Sequence, residues 1–184
     1  MTCIAGLIDS GIVYMGADSA GVAGYDLSIR ADQKVFISGS FLMGFTTSFR
    51  MGQLLRYKLD PPKHPYTDNG QLMDEYKYMV TIFIDAVRQC LKDGGYALKD
   101  KEQEQGGTFL VGYRGRLFQV EDDYQVGELL DGFAAVGCGD QVALGSLYST
   151  RGEPPVNRIR MALEAAERYS AGVRHPFVIE RLGG

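Results

Sequence analysis

Residues 2–18, TCIAGLIDSGIVYMGAD, decide the fold. Cys3–Asp9 and Ile12–Ala17 are short runs, apolar at nearly every position, on either side of the turn signal Asp9-Ser10-Gly11. They read as an antiparallel hairpin. A strand with one solvated face alternates apolar and polar residues, and these runs do not. Both faces of their sheet are therefore expected to be covered.

A second strand pair follows at Lys34–Ser38 (KVFIS) and Phe41–Phe45 (FLMGF), joined by Gly39-Ser40. Then the period changes. Phe49, Leu54, Leu55 and Leu59 predict a helix that begins near Ser48, a good N-cap, and ends before Pro61-Pro62. Residues 61–70 read as a loop. From Met73 to about Leu91, apolar residues recur at spacings of three and four, a strong amphipathic helix stopped by Gly94-Gly95. The polar run Lys99–Gln105 reads as a solvated loop. Strands return at Thr108–Tyr113, Arg116–Val120 and Phe133–Val136. Two helices, about Gln141–Tyr148 and Val156–Tyr169, and a closing strand, Phe177–Leu182, complete the chain. This order predicts an α+β fold with stacked α-β-β-α layers, in a single domain over residues 2–184.

The bulk properties limit function without naming it. The 184 residues, 45% apolar and 23% charged, suit one globular domain, and a net charge of -4 offers no general attraction to nucleic acid or anionic lipid. No apolar run approaches the ~20 residues that cross a bilayer. The N-terminus lacks the basic residues of a secretory signal, and Asp9 interrupts its first apolar run. Cys3, Cys90 and Cys138 are odd in number and unrelated in spacing, which predicts reduced thiols in a cytoplasmic protein. With His64 and His175 as the only histidines, no cluster has metal-ligand spacing.

One position carries chemistry only if Met1 is removed, which aminopeptidases do readily before a small residue. Thr2 then holds both a hydroxyl nucleophile and a free α-amine whose reference pKa, ~7.7–8.0, suits a general base at neutral pH. Many chains begin Met-Thr, so this alone means little. Its surroundings mean more. Gly16-Ala17-Asp18-Ser19 places Asp18 16 residues beyond Thr2, and Asp32-Gln33-Lys34-Val35 places Lys34 32 residues beyond it.

This start, T-x-x-A-G…G-A-D-S…Q-K-V, resembles proteasome β-subunits and the bacterial HslV-type peptidase, and aligns without a gap from Thr2 to Gly44. Gly44-Phe45-Thr46-Thr47-Ser48 falls where that family has a glycine-rich turn before its first helix. Ala135-Val136-Gly137-Cys138-Gly139 and Tyr169-Ser170-Ala171-Gly172 resemble two later family motifs. The resemblance implies the N-terminal nucleophile hydrolase fold, a four-layer α-β-β-α sandwich of two antiparallel sheets, and a threonine-type endopeptidase.

It also implies roles. Thr2 would attack the scissile carbonyl. Lys34 would lower the pKa of its hydroxyl and amine, and Asp18 would hold the Lys34 ammonium; an ordinary ion pair is the alternative for these two. The Ser48 N–H, with Thr47 beside it, would receive the oxyanion, although the family has glycines there. Cys138 stands in place of a serine near the threonine amine, as a weaker proton relay or a core residue. Glu167 replaces a supporting aspartate and either shifts the network or points elsewhere; Ser170 matches a nearby serine. Gly21, Asp32, Thr46 and Arg50 would line the substrate side-chain pocket, with Asp32 and Arg50 neutralising each other or lying on the surface.

No cofactor is implied for the chemistry, but backbone carbonyls of Glu164, Glu167 and Ser170 map onto a monovalent or divalent cation site. The implied assembly is stacked hexameric or heptameric rings acting on polypeptide, fed by a separate AAA+ unfoldase, since the chain has no phosphate-binding G-x-x-x-x-G-K-[ST]. Loss of Met1 alone fits HslV-like maturation. Two other readings stand beside this one, a silent ring scaffold and an amidase acting on a non-peptide amide.

Overall fold

The computed structural model describes residues 1–100 and 103–183. β1 (Cys3–Asp9) and β2 (Ile12–Ala17) form the expected hairpin. Its tight turn is made by Ser10 and Gly11, both at positive φ. β3 (Ala20–Ala23) pairs with β4 (Asp26–Ile29) in a separate ribbon, and β5 (Val35–Ser38) pairs with β6 (Phe41–Phe45). α1 (Phe49–Tyr57) starts at Ser48, whose side chain accepts from the Arg50 N–H. α2 (Glu75–Tyr78) is capped by Asp74 and runs through a π-helical turn, Met79–Phe83, into α3 (Ile84–Asp93).

The predicted solvated loop at Lys99–Gln105 is corrected to an antiparallel ribbon, β7 (Leu98–Asp100) with β8 (Gln103–Gln105); positions 101–102 of that run lie outside the described residues. A ribbon of polar residues leaves no apolar period to read. Then come β9 (Phe109–Tyr113), β10 (Arg116–Val120), β11 (Val126–Glu128) and β12 (Phe133–Gly137). α4 (Asp140–Ser149), α5 (Pro155–Tyr169) and β13 (Val178–Leu182) end the chain.

Two antiparallel sheets result, one ordered β12-β1-β2-β13 and the other β11-β10-β9-β6-β5. Strand alternation divides their side chains between three apolar layers. Ile4, Val13 and Met15 face Val35, Leu42 and Leu110 between the sheets. Cys3, Ala5 and Leu7 point the other way, against Ile159, Leu163 and Ala166 of α5. Met43, Phe109 and Val111 meet Leu54, Leu55, Phe83 and Val87 on the outer side of the second sheet. Each large side chain so buried contributes ~1.5–3 kcal/mol, which explains why both faces of these strands are apolar. The architecture is the expected α-β-β-α sandwich. Gly16 is required for its closeness: a Cβ there would lie 2.4 Å from Ile159.

Candidate active site

Thr2 enters β1, and Asp18 leaves β2, so hairpin pairing brings them to one end of the first sheet. Lys34 lies just before β5 of the second sheet and reaches across. Its Nζ donates to Thr2 Oγ1 at 2.5 Å and to Asp18 Oδ1 at 2.8 Å. All three residues are buried, at 4% exposure or less. The Asp18 carboxylate also accepts from the backbone N–H groups of Cys3 (3.0 Å), Ala20 (2.8 Å) and Arg174 (3.3 Å). Such a saturated carboxylate offsets the cost of burying the lysine, which would be prohibitive without a partner. Burial pushes the Lys34 ammonium below its ordinary pKa, and the charge and hydrogen bond of Asp18 oppose that fall.

The far wall is the β12–α4 turn. The Thr2 N–H donates to Cys138 Sγ at 3.3 Å. Gly137, at φ 105°, has no room for a side chain, because a Cβ would come within 2.3 Å of the Thr2 carbonyl oxygen. Met1 crosses the mouth, its Cβ against Gly172. Ser170 lies one step out, its Oγ donating to the Cys138 carbonyl at 2.9 Å.

Four expectations concern the groups around this centre, and two of them leave open the arrangement that is found: Glu167 points elsewhere, and Asp32 and Arg50 lie on the surface. The Glu167 carboxylate does not turn to Thr2: it accepts from the His175 N–H at 3.0 Å and pairs with His175 Nδ1 at 2.7 Å. The Ser48 N–H donates to the Thr46 carbonyl at 2.6 Å, across Thr47 at φ 60°, so the turn occupies the amide expected to receive the oxyanion. Asp32 is paired with Arg30 (2.7 and 2.8 Å), and Arg50 donates to the Gly94 carbonyl, so Asp32 and Arg50 do not neutralise each other. Nor do Gly21, Asp32 and Arg50 line the recess beside Thr2 while Met1 is in place; its walls include Met1, Val22, Phe45, Thr46, Thr47 and Phe49.

The fourth concerns the cation. Arg174 Nη1 donates to the carbonyls of Ser170 (3.2 Å), Glu167 (3.5 Å) and Val173 (2.6 Å). The oxygens of Glu167 and Ser170 therefore already face a positive group of the chain itself, and Glu164 lies exposed on α5. A cation at that place would share those two carbonyls with Arg174. Among the described residues, no group of three or more His, Cys, Asp or Glu side chains is placed to hold a metal.

Sequence reasoning missed Arg174, Arg30 and Phe49. For Arg174 a signal existed, since a basic residue just past a helix C-terminus commonly binds the last carbonyls. A cleft of about 440 Å³ at the opposite end of β5 and β6 draws attention by size. Its His64 is committed, however: Nε2 donates to the Met73 carbonyl (2.7 Å), which leaves Nδ1 to accept from the Tyr113 hydroxyl (2.8 Å).

The sandwich with Thr2 at one end is the fold of the proteasome-like N-terminal nucleophile hydrolases. The solved structures that share it include BPH of Thiobacillus denitrificans in complex with epoxomicin (19% identity, 99% of this chain and 98% of that one, TM-score 0.79). HslV from Trypanosoma brucei matches over 100% of both chains at 16% identity and a TM-score of 0.70. An Anbu mutant from Hyphomicrobium sp. strain MC1 matches 98% of this chain and 82% of that one at 17% identity, with a TM-score of 0.68. No family model and no curated protein matches the sequence. Among the described residues, no helix is long and apolar enough to cross a membrane.

Proposed function

We propose that this chain is a threonine-type peptidase whose nucleophile is Thr2 after loss of Met1, acting on polypeptide as a subunit of a closed ring. The observation that carries this reading is the 2.5 Å hydrogen bond from Lys34 Nζ to Thr2 Oγ1, with Asp18 behind the lysine. An ammonium held against the hydroxyl favours its deprotonated form as it attacks. Thr2 Oγ1 adds to the scissile carbonyl and its proton passes to the Thr2 α-amine. The amine then protonates the leaving nitrogen, and a water it activates clears the acyl-enzyme. The Ser48 N–H can serve the oxyanion only once its bond to the Thr46 carbonyl opens. Stacked six- or seven-membered rings would confine this site, and a separate unfoldase would feed it.

A second reading, a silent ring scaffold, is favoured by one observation: the Ser48 N–H is already spent within its turn. Intact mass before and after a peptide epoxyketone, a class that includes the epoxomicin bound by the Thiobacillus protein, separates the two. The peptidase loses Met1 and gains one adduct on Thr2, which Thr2→Ala abolishes. A chain that keeps Met1 or stays unlabelled is a scaffold.

A further inference from the structure

We propose that Thr47 is the latch of the turn that carries the Ser48 N–H: its hydroxyl holds the turn shut, so that the chain rests with its oxyanion donor withdrawn. This rests on the peptidase reading above and names how that site is regulated. Thr46, Thr47 and Ser48 form a three-residue turn, closed by the Ser48 N–H on the Thr46 carbonyl at 2.6 Å, with Thr47 at φ 60°. A turn of this hand is rare and strained. Among the described residues Thr47 is the only β-branched one at positive φ, a conformation that such side chains resist. Something specific must therefore hold it there.

The entry to β9 does so. Thr47 Oγ1 accepts from the Thr108 N–H at 3.2 Å and pairs with Thr46 Oγ1 at 3.2 Å. The Thr46 N–H donates to the Thr108 carbonyl at 3.1 Å, so Thr108 grips both residues of the turn. Gly107 lets the two segments come this close: a Cβ there would lie 3.1 Å from Thr47 Oγ1 and 2.7 Å from Met51 Sδ. On the other side the helix fixes where the turn ends, because Ser48 Oγ accepts from the Arg50 N–H and the Ser48 carbonyl from the Gly52 N–H, each at 3.1 Å. None of these partners is Met1 or Thr2, so loss of Met1 removes none of the bonds. Strain drives the turn open and the Thr47 hydroxyl keeps it closed. Thr47 is exposed, so water takes over its hydroxyl and the Thr108 N–H when the turn opens. The two states are thereby close enough in free energy for one hydroxyl to set the balance, and Thr47 acts on the reaction through the Ser48 N–H.

The test is the rate constant at which a peptide epoxyketone adds to Thr2 of the assembled protein, followed by intact mass in the native chain, Thr47→Val and Thr47→Ser. Valine keeps the branched shape and its strain but has no hydroxyl; serine keeps the hydroxyl and loses the branch. One hydrogen bond shifts an equilibrium by about 2- to 12-fold, so Thr47→Val should label about 2- to 12-fold faster than the native chain. Thr47→Ser should label no faster than the native chain. Acceleration is the decisive sign, since losing a hydroxyl that only stabilised the fold would slow labelling or leave it unchanged. A misfolded fraction lowers the amplitude and not the rate constant of the molecules that react. Thr47→Ala, which also lacks the hydroxyl, should label faster too and replaces valine if that variant does not fold. Labelling of the hydroxyl-free variants at or below the native rate, or Thr47→Ser as fast as they are, overturns the proposal alone. No adduct on the native chain or on any variant overturns the peptidase reading and this proposal with it.

Discussion

Arg174 ties the C-terminal end of α5 to Asp18: its guanidinium donates to the Ser170 carbonyl at 3.2 Å while its own N–H donates to Asp18 Oδ2 at 3.3 Å. A cation at a helix C-terminus is favoured by the dipole and satisfies carbonyls that the helix leaves open. The chain should therefore melt at the same temperature in sodium, potassium, magnesium or chelator. Arg174→Met should cost about 1.5–3 kcal/mol, the usual worth of hydrogen bonds to a charged group. Its melting temperature should then rise with added cation. Cation-dependent melting of the native chain would contradict this assignment.

The depressed Lys34 pKa fixes the sign of two pH effects. Between the folded value and the ordinary 10.5, the unfolded chain binds the extra proton, so this group makes stability rise with pH in that window. Activity needs the ammonium, so the alkaline limb of kcat/KM should fall below 10.5, while the Thr2 amine, lowered by the Lys34 charge, sets an acid limb below its ordinary ~7.7–8.0. Asp18 is what raises the Lys34 value, and Asp18→Asn should move the alkaline limb further down. Parallel pH–rate profiles of the two proteins measure this; an unmoved limb assigns it to another group.

Gly137→Ala should damage the site more than the fold. A Cβ at φ 105° costs ~1–3 kcal/mol and is aimed 2.3 Å from the Thr2 carbonyl oxygen, backbone that cannot rotate away. Urea unfolding should show that moderate loss, and epoxyketone labelling should fall by tenfold or more on the scale of a 1 Å misplacement, which costs ~100-fold. Full labelling would mean that β12 shifts without moving Thr2.

Cys138 is exposed, whereas Cys3 and Cys90 are buried. Iodoacetamide should therefore modify Cys138 first and, 3.3 Å from the Thr2 nitrogen, block labelling of Thr2. A hydroxyl is a better hydrogen-bonding group than a thiol, so Cys138→Ser should resist the alkylator and turn over peptide several-fold faster. Unchanged turnover would make the thiol a bystander.

The strands buried on both faces were legible because burial demands apolar residues at every position, as in β1, β2 and β6. β4 was not, because all four of its residues, Asp26–Ile29, are exposed and its pairing rests on backbone alone. The ribbon β7–β8 escaped for a related reason. Its sequence is polar, and backbone hydrogen bonds leave no mark on composition.

At the site, the order of residues along the chain determined that Thr2, Asp18 and Lys34 can meet. A hairpin of fixed length sets Asp18 beside Thr2, and the entry to β5, beyond the β3–β4 ribbon, carries Lys34 to them. Only the tertiary structure decided the second circle: Asp32 with Arg30 and not Arg50, Glu167 with His175, Arg174 on the α5 carbonyls, and Phe49 in the recess. An exposed pair such as Arg30–Asp32 is worth less than about 1 kcal/mol, so no spacing records that it was chosen. The buried trio had no such freedom, since a lysine at 2% exposure must find its carboxylate.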